Sequence, residues 1–125
     1  CQVFFYAKRF ASVDRCMYHY IQFNPNNYSK TTVFNVTSQA KAIIKTEEFY
    51  KENGVYDIVK EELKQRKFLS KLPLLLNKNC YDVKTWRQLF PDSNFAWNNI
   101  NLGMKNKLIV LLAQTPFYRL IPLIR

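Results

Sequence analysis

Residues with acid–base or metal-binding chemistry are few in this chain of 125 residues. It has one histidine, His19, and it contains no Asp-x-Asp, no CxxC pair and no glycine-rich phosphate loop. A catalytic triad would have to use His19, and a multi-histidine metal site is excluded. The adjacent acids Glu47-Glu48 and Glu61-Glu62 lie in predicted helices, where neighbouring side chains point about 100° apart. We therefore assign no catalytic residue and no metal ligand to this chain.

The positive charge is concentrated in the second half of the chain. The net charge is +10, and residues 63–125 hold eleven Lys or Arg but only two acids, Asp82 and Asp92. Such a basic half is typical of proteins that contact an anionic partner. A phospholipid surface, a nucleic acid and a diphosphate-bearing substrate all fit this pattern. The alternative is a charge that serves only solubility.

The composition favours a helical, folded chain in a reducing compartment. Hydrophobic residues make up 48% of the sequence and there are only two glycines, which disfavours folds that need many tight hairpins. The three cysteines have no close spacing, and the longest apolar runs, residues 72–76 and 108–113, are too short to cross a bilayer. We expect the cytoplasm or its membrane surface. Because the chain begins with Cys1 and not Met, we expect a fragment or a processed product.

The sequence predicts extended secondary structure only within the first thirty-six residues. Residues 12–23 alternate in a two-residue period and are rich in Val, Tyr, Ile and Phe, which indicates a strand. Residues 24–29, with Asn and Pro, predict a loop, and residues 31–34 predict a second extended piece. An unpaired strand edge is expected to pair with the strand's own loop, with a neighbouring helix or with another copy of the chain. A homo-oligomer is therefore one expected assembly.

The remainder of the chain predicts four or five helices. Thr37 or Ser38 caps the first, which Asn53-Gly54 closes, and the second runs from Val55 to about Leu72 before Pro73. Three shorter elements follow: a helix between Asp82 and Pro91, a turn from Ser93 and a helix over residues 102–113. We predict apolar stripes on these helices. They comprise Ala40, Ile43, Ile44 and Phe49 or Tyr50 in the first helix, Val55, Ile58, Val59, Leu63 and Leu69 in the second, and Trp86, Leu89, Leu108 and Leu112 later.

Basic and aromatic residues in the second half suggest two kinds of contact. The last stretch, residues 117–125, carries Arg119 and Arg125 beside aliphatic residues and has no acid. Both arginines are predicted to face an anionic membrane, with plain solubility as the alternative. Phe95, Trp97 and Trp86 near basic residues also suit base stacking, although we expect Trp86 in the core.

Residues 6–30 carry a resemblance to a known family. They read YAKRFASVDRCMYHYIQFNPNNYSK. This resembles the segment that closes the catalytic domain of bacterial family 2 glycosyltransferases, in which a helix ends in an Ala-Lys-Arg-like stretch. A short strand then ends in Tyr-x-Tyr, and a polar loop with Asn and Ser follows. The matching residues are Ala7-Lys8-Arg9, Val13, Tyr18-His19-Tyr20, Asn24, Asn27, Ser29 and Lys30. Three later stretches, residues 80–87, 89–91 and 105–108, resemble the helical tail of the family's cell-surface polysaccharide members.

The resemblance implies a fold and a domain organisation. The fold is mainly α, with a short N-terminal β element and then a four- to five-helix bundle, as the C-terminal part of an α/β nucleotide-sugar transferase. Residues 1–36 would end the catalytic domain, and residues 37–125 would form a C-terminal helical domain.

The resemblance also implies a function for the intact protein. It would move a sugar from a nucleotide-diphospho-sugar to a cell-envelope polysaccharide or lipid-linked acceptor, in the cytoplasm or peripherally at the inner membrane. An upstream catalytic domain would supply an Asp-x-Asp with Mg²⁺ or Mn²⁺, so this chain alone would bind no cofactor. The implied substrate contacts are Tyr18, His19, Tyr20, Asn27 and Ser29. A packed or surface role is the alternative for His19, and a basic helical peripheral-membrane or nucleic-acid-binding module is the alternative for the whole chain.

Overall fold

The computed structural model describes residues 5–9, 11–12, 14–15 and 32–124. The chain forms two compact units, Cys1–Lys30 and Thr31–Arg125. Among the described residues there are α-helices and short 3₁₀ helices and no strands, so the prediction of a mainly α fold is confirmed. The α-helices are α1 (Val33–Glu52), α2 (Tyr56–Lys71), α3 (Pro73–Leu76), α4 (Val83–Gln88), α5 (Met104–Gln114) and α6 (Ile121–Ile124). The 3₁₀ helices are Lys78–Cys80, Pro91–Ser93, Ala96–Asn99 and Pro116–Leu120.

The predicted N-terminal β element falls mostly outside the described residues. Of residues 12–23, only 12, 14 and 15 are described, and they have no regular secondary structure. The loop over residues 24–29 lies wholly outside. In the first unit, Phe5 and Tyr6 are helical, with their rings edge-to-face at 5.2 Å between centroids.

Helix α1 begins earlier than the sequence predicts. The side chain of Thr32 accepts a hydrogen bond from the backbone N–H of Asn35 at 3.2 Å, so Thr32 is the N-cap. Val33 and Phe34 are therefore helical, and their predicted extended conformation is wrong. Thr37, a predicted cap, instead donates its hydroxyl to the carbonyl of Phe34 at 2.9 Å. The cap at Thr32 allows Val36 to reach the core, where it is buried. The predicted domain boundary at residues 36 and 37 lies inside α1, whereas the two units divide between residues 30 and 31.

The turn and capping signals that end α1 and start α4 are confirmed. Gly54 follows α1 with a φ of +68°, a conformation that glycine adopts without strain. Pro73 ends α2 and becomes the first residue of α3. Asp82 caps α4 by accepting hydrogen bonds from the Thr85 hydroxyl at 2.5 Å and the Thr85 backbone N–H at 2.9 Å. These two bonds lower the pKa of the Asp82 carboxyl.

The core lies where α1 to α6 meet. Its buried members are Val36, Phe68, Leu74, Leu75, Val83, Trp86, Ile109, Val110, Ala113 and Ile121. Trp86 is completely buried as predicted, and Leu89 and Leu112 pack against the core. Leu108, by contrast, is 45% exposed, so its predicted core position is wrong. The unbroken apolar run over residues 108–113 does not indicate which side of α5 faces inward.

The predicted stripes of α1 and α2 are partly wrong. Ala40, Ile43 and Phe49 are buried, but Ile44 is exposed. In α2, Leu63 is buried whereas Ile58 and Leu69 are exposed. The other buried positions of α2 are Lys67, Phe68 and Lys71, so two charged residues occupy the face that packs inward.

Candidate functional site

The predicted substrate-contacting residues lie outside the part of the chain that the structure describes. These are Tyr18, His19, Tyr20, Asn27 and Ser29, and their roles stay predictions. Arg125 also lies outside the described residues. Arg119 is exposed on the 3₁₀ helix Pro116–Leu120, a position that leaves its side chain accessible to a partner.

Lys71, at the C-terminal end of α2, is the most deeply buried charged side chain described. It has no exposed surface. Its ammonium group donates to the carbonyls of Leu89 at 2.6 Å and Phe90 at 2.9 Å, and to the side-chain oxygen of Asn94. Burial lowers the pKa of Lys71 to about 8, against the opposing effect of the Asp92 carboxylate. An ammonium group has three N–H bonds, and all three find an acceptor here.

The acceptors of Lys71 belong to a strained turn after α4. Phe90 has a φ of +46°, an unfavourable conformation for a residue with a side chain. Its carbonyl also accepts hydrogen bonds from the backbone N–H and the hydroxyl of Ser93, at 3.0 Å and 2.8 Å. Lys71 and Ser93 therefore hold this turn in place. The Trp86 ring, at 4.6 Å from the ammonium nitrogen, contributes a cation–π contact.

Lys67 lies one turn before Lys71 and joins three elements through ion pairs. Its ammonium nitrogen is 2.9 Å from a carboxylate oxygen of Glu47 in α1 and 3.2 Å from one of Asp92. Burial lowers the pKa of Lys67, but the hydrogen bonds to Glu47 and Asp92 outweigh it and the pKa is raised. For Glu47, burial raises the pKa, but hydrogen bonds from Lys67 and Lys51 outweigh it and the pKa is lowered. Both shifts favour the charged forms of Lys67 and Glu47.

The lysine cluster, defined as Lys67 and Lys71 with their acceptors, has a structural role. A lysine with a lowered pKa is a candidate nucleophile or general base. However, Lys71 is completely enclosed, and its N–H bonds are occupied by protein acceptors. No substrate can reach the nitrogen without opening the core. The cluster instead fixes the turn over residues 89–94 against α1 and α2.

Arg87 fastens the C-terminal end of α5 to α4. Its Nε donates to the carbonyl of Ala113 at 2.7 Å, and its Nη2 donates to the carbonyl of Thr115 at 2.5 Å. The guanidinium also lies 4.7 Å from the centre of the Tyr118 ring. The carbonyls at the end of a helix have no partners within it, so Arg87 satisfies them and sets where the chain turns toward α6.

The C-terminal part of the helical unit presents many large apolar side chains to solvent. We name these residues the C-terminal apolar surface. They are Met104, Leu108, Leu111, Phe117, Leu120 and Leu123, with exposed fractions from 44% to 83%. Single exposed leucines are ordinary, but six large apolar side chains exposed along consecutive elements are more than isolated exposure accounts for.

An open groove lies at the junction of α2 and α3. Its volume is about 650 Å³, and it is lined by Leu69, Leu72, Pro73, Leu76, Asn77, Lys78 and Asn79. Lys78 is the only charged residue in this lining. The groove lacks the converging polar groups that orient a specific small ligand.

In the described ranges there is no group of three or more His, Cys, Asp or Glu side chains arranged to hold a metal ion. Over the same ranges, no helix has both the length and the apolarity needed to cross a membrane.

Comparison of the chain with protein-family models, with curated proteins and with solved structures gave no match.

Proposed function

We propose that this chain is the C-terminal part of a bacterial family 2 glycosyltransferase. The intact enzyme moves a sugar from a nucleotide-diphospho-sugar to a cell-envelope polysaccharide or a lipid-linked acceptor. The observation that carries the proposal is the order of Ala7-Lys8-Arg9, Tyr18-His19-Tyr20 and the polar loop with Asn27 and Ser29. The mainly helical character of the residues that follow supports it, because the family's polysaccharide-type members have a helical tail.

The proposal divides the work between this chain and the sequence before it. The upstream catalytic domain holds the nucleotide-sugar, the divalent metal and the base, since this chain has no Asp-x-Asp. The loop after Tyr20 contributes to the wall of the acceptor site. The helical unit is rigid in itself, because its core and its lysine cluster tie α1, α2 and the turn after α4 together. The enzyme acts in the cytoplasm, at or near the inner membrane.

The test uses the full-length enzyme and substitutions in the predicted wall. Tyr20→Ala and Asn27→Ala are each expected to lower sugar transfer by about tenfold or more, which corresponds to about 1.4 kcal/mol of lost transition-state binding. Phe34→Ala and Asn101→Ala are matched controls, because both side chains are exposed in the helical unit, and they should leave transfer unchanged. Unchanged turnover in Tyr20→Ala and Asn27→Ala would overturn the assigned role.

The isolated chain offers a second test. Because it lacks the metal and nucleotide ligands, it should show no tight binding in calorimetric titration with nucleotide-sugars and Mg²⁺ or Mn²⁺. Affinity in the micromolar range, about −8 kcal/mol or stronger, would contradict the division of roles proposed here.

A further inference from the structure

Helix α5 has apolar residues on its solvent-facing side as well as on the side that packs against the core. Ile109, Val110 and Ala113 are buried, whereas Met104, Leu108 and Leu111 are exposed. The exposed three are spaced four and three residues apart, so they form one row along the helix within an arc of about 60°. The row faces away from the buried residues, so α5 carries a second apolar face, which is exposed by 82% at Met104 and by 45% at Leu108 and Leu111.

The segment after α5 carries a second exposed apolar row. Phe117, Leu120 and Leu123 recur every three residues through the 3₁₀ helix Pro116–Leu120 and into α6, and they are 64%, 44% and 83% exposed. Side chains three residues apart lie above one another in a 3₁₀ helix. Ile121, next to them, is completely buried and anchors the segment to the core. The row therefore belongs to a firmly packed element.

Basic residues accompany both rows. Lys105 and Lys107 lie on either side of the α5 row, about 90° and 70° from its centre around the helix. Arg119 is exposed between Phe117 and Leu120. No Asp or Glu occurs after Asp92, so the last thirty-three residues of the chain have only positive side-chain charges. An apolar face with lysines along its borders is the pattern of helices that lie in a membrane interface, because lysine heads reach the phosphates while their stems stay apolar.

We propose that the C-terminal apolar surface binds the surface of an anionic phospholipid membrane. The charge favours this occupant over a second copy of the chain, since two copies would bring the same basic residues together. The aliphatic character favours it over nucleic acid, since base stacking uses aromatic rings and Phe117 is the only exposed aromatic residue of this surface. The inference does not rest on sugar transfer, because the purified chain alone is tested.

The experiment is flotation of the purified chain with lipid vesicles. The chain should float with vesicles that contain phosphatidylglycerol and should remain unbound with vesicles of phosphatidylcholine alone. The double substitution Lys105→Gln with Arg119→Gln should weaken binding about five-fold per charge. Lys60→Gln with Arg66→Gln, two exposed basic residues of α2, is the control with the same loss of net charge.

The apolar contribution is tested at the two most exposed positions. Met104→Gln with Leu123→Gln should weaken binding at least about tenfold, because side chains that would enter the interface become polar. Phe34→Gln with Ile58→Gln is the matched control, since those side chains are 74% and 79% exposed on α1 and α2. Circular dichroism and urea unfolding check that each variant remains folded.

Several results would overturn the proposal. Equal binding to both vesicle types would remove the role of charge, and equal losses in test and control variants would remove the role of this surface. If Met104→Gln with Leu123→Gln instead splits a dimer seen by sedimentation, the occupant is a second copy. Binding to single-stranded nucleic acid, but not to vesicles, would assign the surface to that partner.

Discussion

The ammonium group of Lys71 lies 4.6 Å from the centre of the Trp86 ring, and neither side chain has any exposed surface. A cation–π contact in a desolvated site contributes about 2 kcal/mol. Together with three hydrogen-bond acceptors, the ring makes burial of the lysine tolerable in the centre of the helical unit. The pair connects the end of α2 to α4, so it is expected to dominate the stability of this unit.

Removal of the Lys71 side chain should strongly destabilise the fold. Lys71→Ala leaves the Leu89 carbonyl and the Asn94 oxygen without this donor, removes one of three donors to the Phe90 carbonyl and opens a cavity. These losses should cost about 2–4 kcal/mol. Lys71→Met keeps most of the volume and should cost less. Lys60→Ala, exposed on the same helix, should change stability by less than about 0.5 kcal/mol. Urea unfolding monitored by circular dichroism measures all three, and equal stabilities for Lys71→Ala and Lys60→Ala would contradict the structural role.

The lowered pKa of Lys71 predicts a stability that rises with pH. Between about 8 and the ordinary value of 10.5, the unfolded state holds a proton on this lysine that the folded state has released. Stability therefore increases over this interval, with a slope of at most about 1.4 kcal/mol per pH unit. The difference in unfolding free energy between wild type and Lys71→Met isolates the effect. A difference that stays constant or falls between these pH values would show that Lys71 remains charged.

The Lys67–Glu47 ion pair predicts a loss of stability in acid. Because the pKa of Glu47 is lowered, its contribution is fully present above 4.5 and disappears as the pH falls through its folded-state pKa. Glu47→Gln should cost about 1–2 kcal/mol at neutral pH, since Lys67 keeps Asp92 as a partner. In acid the variant and the wild type should converge. Glu61→Gln removes an exposed pair with Lys64 and should leave stability nearly unchanged, because solvent screens such pairs. Thermal unfolding at a series of acidic pH values measures the stability difference between wild type and Glu47→Gln. A difference that does not change with pH would contradict the role of the ion pair.

Replacement of Arg87 should loosen the end of α5 and the segment after it. Arg87→Lys retains the charge, but an ammonium group lacks the planar arrangement of N–H donors that reaches both the Ala113 and the Thr115 carbonyls. It also cannot stack on the Tyr118 ring as a guanidinium does. We expect a loss of about 1–2 kcal/mol and faster amide hydrogen exchange over residues 114–124. Lys84→Ala, exposed on the same helix, is the control. Unchanged exchange in that segment would show that other contacts hold it.

Local signals predicted the helix ends of the described unit well. These signals act within one turn of the chain. Gly54 adopts a left-handed conformation after α1, Pro73 and Pro91 interrupt the preceding helices, and the side chain of Asp82 caps α4. The start of α1 does not follow from local signals, because the Thr-Thr-Val stretch before Phe34 has strand propensity. The hydrogen bond from Asn35 to Thr32 and the burial of Val36 override that propensity.

The lysine cluster could not be predicted from the sequence pattern. The sequence pattern predicts that Lys67 and Lys71 lie at the charged end of an amphipathic helix and that Leu69 lies on its apolar face. The acceptors for Lys71 come from residues eighteen to twenty-three positions later, and no periodicity in α2 reveals them. In the same way, the apolar run of α5 has hydrophobic residues on all sides. Its exposed face becomes apparent only once the packing of Ile109, Val110 and Ala113 is known.

The coding sequence upstream of Cys1 tests the central claim most directly. The account predicts a preceding domain of about 200 residues, within the usual size range of a single domain. That domain should contain an Asp-x-Asp for the metal-bound diphosphate and an acidic pair shortly before Cys1. A start codon directly upstream of the Cys1 codon, or an unrelated domain before Cys1, would contradict the assignment to a family 2 glycosyltransferase.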